Sequence, residues 1–214
     1  MNCKFVLTAC PFCGCGCQFY LQVFDGEVTG IIPCKTDEIS EGKLCIKGRN
    51  VFKFINHEER LKTPLVRENG QLRRVSWDEA LDIVSRNLNR LKEDFGPNSI
   101  GFLSSAKCTN EENFFLMKFA RAVIGTNNID HCARLCHSPT VVGLVGSFGS
   151  GAMTNSIPEV AWADCIFVIG SNTLEQHPLI GARILKAREK GAKIVVADPR
   201  HTPLVDFADV HLQL

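Results

Sequence analysis

The sequence lacks several features that would assign it to a membrane or a nucleic acid. It contains no apolar run of the roughly 20 residues that a transmembrane helix requires. Lys and Arg number 24 against 23 Asp and Glu, which gives a net charge of +1. Nucleic acids and anionic membrane surfaces bind basic proteins, so this charge gives no reason to expect a nucleic-acid partner. The missing apolar run means that we expect no membrane span.

Two further absences narrow the location and the fold. No charged and then apolar leader opens the chain, so its eleven cysteines are expected to stay reduced in a cytoplasmic protein. The glycine fingerprint of nicotinamide-binding folds is also missing, so any nucleotide must be held differently. With 214 residues and a hydrophobic content of 45%, the chain is long enough for one or two domains with a buried core.

The cysteines that are present concentrate near the start of the chain. Cys10, Cys13, Cys17 and Cys45 are separated by two, three and 27 residues, so three lie on a tight loop and the fourth returns later. Four soft thiolates in this pattern favour a [4Fe-4S] cluster. Zinc is the alternative, but structural zinc sites usually pair two short knuckles and Cys45 has no knuckle partner. Cys15 is interpreted as a bystander because its use would break the spacing.

The first part of the chain reads as a small cluster-binding domain. Residues 19–23 and 28–32 alternate around Asp25-Gly26, which predicts a β-hairpin. The hairpin leads away from the cysteine loop, and the segment through Cys45 leads back. We place this domain at residues 1–57, where the cluster substitutes for a hydrophobic core.

The remainder, residues 58–214, predicts an α/β domain of the doubly wound type with a parallel sheet. Asn69-Gly70 indicates a second hairpin, and capping boxes at residues 76–79 and 109–112 begin helices that end near residues 96 and 125. A third helix is expected with Ser138 as its N-cap and Pro139 as its first residue. The other expected elements are strands at 100–103, 165–169, 193–197 and 210–212, and a helix at 178–190. The uninterrupted apolar strand 165–169 is typical of burial on both faces.

Two loops follow these parallel strands at the sheet edge where α/β proteins bind ligands. Residues 170–177 follow one strand, and Asp198-Pro199-Arg200 follow the next. Asp198 can accept hydrogen bonds from ribose hydroxyls or a guanine edge, and Arg200 can bind a phosphate. The alternative is that Asp198 caps the turn before Pro199 while Arg200 is solvated.

A second chemical centre is predicted at Cys136 and His137. Cys136 lies just before a predicted helix N-terminus and beside a histidine, and both neighbours favour thiolate over thiol. His137 is suited to proton transfer near neutral pH. The alternative is a buried cysteine followed by a helix-capping residue.

Taken together, these motifs resemble the amino-terminal part of the molybdopterin oxidoreductase family, and within it the formate dehydrogenase catalytic subunits of the cytoplasmic archaeal type. The matching stretches are the cysteine loop with residues 44–48, residues 108–113, 132–140, 149–153 and 170–177, and Asp198-Pro199-Arg200. Family members are several times longer, so we expect this chain to be a fragment whose α/β domain is incomplete at its C-terminus. The alternatives are that another chain completes the site or that the protein has lost catalysis.

The resemblance implies a role for each matched residue. Cys10, Cys13, Cys17 and Cys45 would bind the [4Fe-4S] cluster. Lys47 would lie between the cluster and a pterin ring, Cys136 would ligate molybdenum or tungsten, and His137 would be the neighbouring histidine of the formate site. The metal would be held as bis(molybdopterin guanine dinucleotide), and the residues expected around one guanine dinucleotide are Asn110, Asn172, Glu175, His177, Asp198 and Arg200.

The activity that the resemblance implies is the reversible two-electron oxidation of formate to carbon dioxide. Electrons would pass by Lys47 into the cluster and on to an iron-sulfur or flavin subunit, linked to coenzyme F420 or part of a larger redox complex. Two alternatives stay open. One is the catalytic subunit of formylmethanofuran dehydrogenase, and the other is a non-catalytic iron-sulfur electron-transfer subunit.

Overall fold

The computed structural model describes residues 2–214 and confirms a mixed α/β fold with parallel strands. In chain order the strands are β1 (Cys3–Ala9), β2 (Gln18–Phe24), β3 (Glu27–Pro33), β4 (Leu65–Glu68), β5 (Gln71–Arg74), β6 (Phe102–Ser104), β7 (Ile129–His131), β8 (Cys165–Ile169), β9 (Lys193–Ala197) and β10 (Val210–Leu212). The α-helices are α1 (Ile46–Arg49), α2 (Trp77–Phe95), α3 (Asn110–Lys118), α4 (Ala133–Cys136), α5 (Ser138–Phe148), α6 (Thr173–Gln176) and α7 (Pro178–Glu189). Short 3₁₀ helices occupy Val51–Phe54, Pro97–Ser99, Pro158–Trp162 and Val205–Phe207.

The chain divides into two compact units. The first combines the residues up to Arg60 with Met153–Leu214, and the second is Leu61–Ala152. The first unit therefore joins the cysteine-rich start of the chain to its final α/β segment. From the sequence, we place a boundary between independently folding domains after residue 57. The division into compact units does not test that boundary, which stays a prediction.

An antiparallel sheet of order β1-β2-β3 begins the first unit. The hairpin predicted between β2 and β3 is confirmed, and Asp25 and Gly26 have φ of 45° and 92°, the positive values that tight hairpin turns need. Strand β1 was not expected from the sequence. It pairs antiparallel with β2 along its whole length, and its side chains are largely exposed.

The first unit also contains a parallel sheet of order β10-β9-β8. Its core lies where β9 meets α7, and the side chains that pack there are Val168, Ile184, Ile194, Val196 and Leu204. Strand β8 has the predicted bounds, but the expectation that both of its faces are buried is wrong. Phe167 is 58% exposed and Ile169 is 62% exposed, so the described residues leave one face of β8 largely uncovered.

The second unit opens with the hairpin β4-β5, as Asn69-Gly70 predicts. Helix α2 follows, and the hydroxyl of its N-cap Ser76 accepts a hydrogen bond from Glu79 N at 3.1 Å. The reciprocal half of the predicted capping box is not formed. The Glu79 carboxylate instead pairs with Arg73 Nη2 at 2.7 Å, because β5 brings this guanidinium within reach.

A parallel pair, β6 and β7, and helix α3 complete the centre of the second unit. Strand β6 begins two residues later and ends one residue later than the interval predicted at 100–103. The capping box of α3 is complete, with Thr109 and Glu112 bonded in both directions. The helix continues as a π-helical segment, Phe119–Ile124, and ends at Gly125, whose φ of 89° suits a glycine.

Helix α5 begins one residue earlier than expected. Its N-cap is His137 rather than Ser138, and Pro139 is its second residue. The cause lies in the chain before it, since Val141 N donates to His137 O at 3.0 Å and so starts the helix at Ser138. Over residues 2–214, no helix is long and apolar enough to cross a bilayer.

Candidate functional site

The cysteine loop between β1 and β2 is closed by the backbone at its base. Cys10 N donates to Cys17 O at 2.8 Å, immediately before β2 begins. Gly16 has a φ of 73°, a conformation that disfavours other residues, and it turns the loop just before Cys17. The sequence therefore folds residues 10–17 back on themselves, with Cys15 and Cys17 buried.

The fourth predicted ligand, Cys45, is placed near this loop by the buried side chain of Leu44. Leu44 packs in a core with Cys15, Cys17 and Phe19, and Cys45 follows as the N-cap of α1. A Cβ at Gly48 would lie 3.8 Å from Cys10 Sγ, so α1 passes close to the first ligand. One depression is consequently lined by all four predicted ligands together with Cys15, and its lining is Cys10, Phe12, Cys13, Cys15, Cys17, Leu44, Cys45, Gly48, Pro178 and Leu179.

Electrostatics around this depression disfavour free thiolates. Burial, a hydrogen bond with Cys13 and the charge of neighbouring thiols raise the pKa of Cys15 to about 12. Burial and the neighbouring Cys10 and Cys13 raise the pKa of Cys17 to about 11. Crowded thiolates of this kind need a compensating cationic group, so the donor set is chemically suited to metal.

The set of four cysteines suits a [4Fe-4S] cluster. Among residues 2–214, no three His, Cys, Asp or Glu side chains converge closely enough to hold a single metal ion. In a four-iron cluster each of the four cysteines binds a different iron, so such convergence is not required. Cys15, which is interpreted from the sequence as a bystander, lines the same depression as the four predicted ligands.

Lys47 connects the cluster side of the first unit with the loop that follows β8. It lies in α1, two residues after Cys45, and its Nζ donates to Gln176 O at 3.3 Å. Gln176 ends α6, within the loop 170–177 that the sequence assigns to a nucleotide. The structure thus brings together two predicted site elements that are 129 residues apart in sequence.

Two buried oxygens without partners lie in the loops after β8 and β9. Among the described residues, Asn172 Oδ1 and Thr202 Oγ1 are the buried side-chain atoms that lack a hydrogen-bond partner. Asn172 Nδ2 is occupied, since it donates to Glu175 Oε2 at 2.7 Å. Unsatisfied buried acceptors are costly, and a hydroxyl-rich ligand at this edge would satisfy them. Sequence reasoning missed Thr202, although its place four residues after Asp198 was a usable signal.

The other predicted residues of this edge are placed as follows. Asp198 is buried, and its Oδ1 accepts from Arg200 N at 2.8 Å, which is the turn-capping alternative of the sequence interpretation. The Arg200 side chain is 70% exposed and lies 3.7 Å from the same carboxylate. His177 is the N-cap of α7, and its carbonyl accepts from Ile180 N at 2.9 Å.

Cys136 and His137 lie together in the second unit, between α4 and α5. Cys136 is the last residue of α4, and its side chain is exposed. The adjoining Cys132 anchors this segment, since its Sγ accepts from Ala106 N at 3.3 Å and its carbonyl accepts from Cys136 N at 3.2 Å. Asn110, also in this unit, is the first residue of α3 and lines an open cavity with His131 and other residues.

Comparison with protein families gives two matches that together cover nearly the whole chain. Residues 3–57 match the molybdopterin oxidoreductase Fe4S4 domain. Residues 60–214 match the molybdopterin oxidoreductase model.

Among curated proteins, the chain is 56% identical over 214 residues to F420-dependent formate dehydrogenase 1 subunit alpha of Methanococcus maripaludis. It is 52% identical over 214 residues to the F420-dependent formate dehydrogenase subunit alpha of Methanocaldococcus jannaschii. Identity is 43% over 218 residues to formate dehydrogenase H of Escherichia coli. These alignments include at least 99% of this chain but only 30–31% of each relative, so the chain spans under a third of their length.

Among solved structures, acetylene hydratase from Pelobacter acetylenicus superposes with a TM-score of 0.70. The match covers 97% of this chain and 29% of that one at 23% sequence identity, so it bears on the fold alone.

Proposed function

Because the chain belongs to the molybdopterin oxidoreductase family, we propose that it provides part of the catalytic subunit of a formate dehydrogenase. The observation that carries this proposal is the identity of 50–56% to three archaeal formate dehydrogenase alpha subunits, over nearly all of the chain. The substrate is formate, and carbon dioxide is the product.

In this proposal Cys10, Cys13, Cys17 and Cys45 bind a [4Fe-4S] cluster. Support comes from their common depression and from the Fe4S4 family match over residues 3–57. The closed loop of residues 10–17 and the short helix after Cys45 fix the positions of the thiols before iron arrives, which lowers the ordering cost of binding.

Cys136 provides the protein ligand to molybdenum or tungsten, and His137 handles the proton. When bound, the metal with two molybdopterin guanine dinucleotides supplies the two-electron oxidation of formate carbon. The exposed sulfur of Cys136 is accessible to such a group. His137 follows directly, and its imidazole can accept the proton that formate releases.

One guanine dinucleotide lies against Asn172, Glu175, His177, Asp198 and Arg200, with Asn110 as a further contact. The unpaired Oδ1 of Asn172 supports this, because it requires a donor that no described residue supplies. Arg200 is exposed at the same sheet edge and carries the charge that a diphosphate requires. Lys47, bonded to Gln176 O, stands between this loop and the cluster and is a suitable element of the electron path.

Electrons leave the cluster for an iron-sulfur or flavin subunit that reduces coenzyme F420, and the enzyme works in the cytoplasm. The coenzyme is proposed because the archaeal relatives are described as F420-dependent.

The test is metal analysis of the protein purified without oxygen from its own cells. We expect four irons and one molybdenum or tungsten with pterin per chain, and formate-dependent reduction of an artificial acceptor. The matched variant Cys136→Ser should keep the four irons and lose formate oxidation. Intact protein with iron but neither pterin nor formate oxidation would refute the enzymatic proposal and favour a subunit that only transfers electrons.

A further inference from the structure

Arg183 is a buried charged residue that the proposed reaction does not use. It lies in α7 and is 8% exposed. Its Nη2 donates to Ile39 O at 2.6 Å and to Glu38 O at 3.0 Å, and Nη1 donates to Glu41 Oε1 at 3.3 Å. Burying a guanidinium is unfavourable unless its donors are paired, and here they are paired with a segment more than 140 residues away in sequence.

Asp37 connects the same segment to the end of the cysteine loop. It is 8% exposed, and its Oδ2 accepts from Ser40 N and from Gln18 N, both at 3.0 Å. Its Oδ1 accepts from Ile39 N at 3.3 Å. Gln18 directly follows the proposed ligand Cys17, so one carboxylate joins the end of the cysteine loop to residues 37–41.

Residues 37–41, which we name the brace segment, lead directly into Cys45. Within the brace segment Glu41 N donates to Asp37 O at 2.8 Å, and beyond it Lys43 N donates to Ser40 O at 2.8 Å. Leu44 then enters the core that contains Cys17. Only three residues separate the brace segment from Cys45. A displacement of Ile39 would therefore also displace the fourth ligand.

We propose that Arg183 and Asp37 are positioning residues of the cluster site. Arg183 fixes the brace segment to α7, Asp37 fixes it to the cysteine loop, and together they hold Cys45 at the correct distance from Cys17. The inference rests on the proposed cluster ligation. It goes beyond that ligation because it assigns the geometry of the site to two residues that never touch iron.

The experiment compares three variants of the anaerobically purified protein with the wild type. Arg183→Lys keeps the charge but cannot reproduce the planar fork that binds two carbonyls and a carboxylate. Asp37→Asn keeps the shape of the side chain but replaces one carboxylate oxygen, which accepts hydrogen bonds from backbone N–H groups, with an NH₂ group that can only donate. The control is Lys186→Gln, an exposed residue one turn along α7 that lines the same cleft as Arg183.

Two measurements are made on each variant. The first is the rate at which a chelator removes iron. Removal of outer groups that orient metal ligands typically weakens metal binding by about 10-fold to 100-fold, so we expect Arg183→Lys and Asp37→Asn to lose iron about 10-fold faster. The second is the midpoint potential and EPR signal of the reduced cluster, which hydrogen bonding and solvent exposure tune. We expect both to shift in these two variants and to stay at wild-type values in Lys186→Gln.

The outcomes separate this inference from the function proposed above. If the wild type carries four irons while Arg183→Lys and Asp37→Asn match Lys186→Gln in both measurements, the positioning role is wrong and the cluster proposal stands. Faster iron loss with an unchanged potential and EPR signal in the remaining clusters would also overturn it, since that describes general destabilisation. A wild type without iron would overturn the proposed ligation and this inference together.

Discussion

Gly181→Ala tests whether the loop after β8 is held by close packing against α7. A Cβ at residue 181 would lie 2.7 Å from Leu174 Cδ2 and 3.0 Å from Leu174 Cα. The methyl group can rotate away, but the Cα belongs to the backbone of α6 and cannot move without moving the loop. Helix propensity favours alanine by about 1 kcal/mol, whereas overpacking a buried contact costs about 1–3 kcal/mol.

We therefore expect Gly181→Ala to lower the free energy of unfolding by up to about 2 kcal/mol, the contact cost less the propensity gain. For a domain of this size that corresponds to a fall of up to about 8 °C in Tm. Far-UV circular dichroism of the purified protein during heating measures it. Because Asn172 and Glu175 lie within two residues of Leu174, we also expect weaker retention of the pterin nucleotide, measured as pterin released per chain.

The matched control is Gly143→Ala in the exposed helix α5. Apart from its chain neighbours and the backbone of its own helix, no described heavy atom lies within 4 Å of a Cβ built there, so only the propensity gain remains. We expect Gly143→Ala to raise stability by about 0.5–1 kcal/mol. A Gly181→Ala protein as stable as the Gly143→Ala protein would refute the packing argument. A destabilised Gly181→Ala protein with normal pterin retention would refute its link to the loop.

Three further predictions follow from the site and the fold. Cys45→Ser should remove the cluster, and iron content equal to that of the wild type would exclude Cys45 as a ligand. Lys47→Met should retain the cluster but slow its reduction by formate, with Lys47→Arg less affected; equal stopped-flow rates in all three proteins would remove Lys47 from the electron path. A backbone hydrogen bond from Ile194 holds the pKa of Asp209 at about 2. Its ionised form therefore stabilises the fold above its unfolded pKa of about 4, and that contribution is lost as the pH falls to about 2. Asp209→Asn should flatten this acid limb of the Tm profile, and an unchanged slope would contradict the assignment.

Local signals in the sequence predicted the elements whose causes lie within a few residues. Both hairpin turns depend on two adjacent residues that adopt positive φ, and both lie where the sequence indicates. The apolar strand 165–169 and the parallel strands after it have their expected bounds, because each is indicated by its own run of apolar residues. Strand β1 escaped prediction because an edge strand with mostly exposed side chains has no buried face to impose a pattern.

Contacts between distant residues decided the features that sequence reasoning missed or misjudged. Arg73 reaches Glu79 across the turn after β5 and so removes half of a predicted capping box. Asp198 is bonded within its own turn, and the folded structure shows that Thr202 Oγ1 is buried without a hydrogen-bond partner.

The sequence by itself indicated a soft-metal site near the start of the chain. The identity and spacing of Cys10, Cys13, Cys17 and Cys45 suffice to predict it, because ligand preference is a property of the side chains themselves. The metal-binding role of Cys136 was predicted from the family resemblance. Only the tertiary structure decided which residues hold that chemistry in place. Lys47 reaches Gln176, and Arg183 reaches the brace segment, because folding brings together segments that are far apart in the chain.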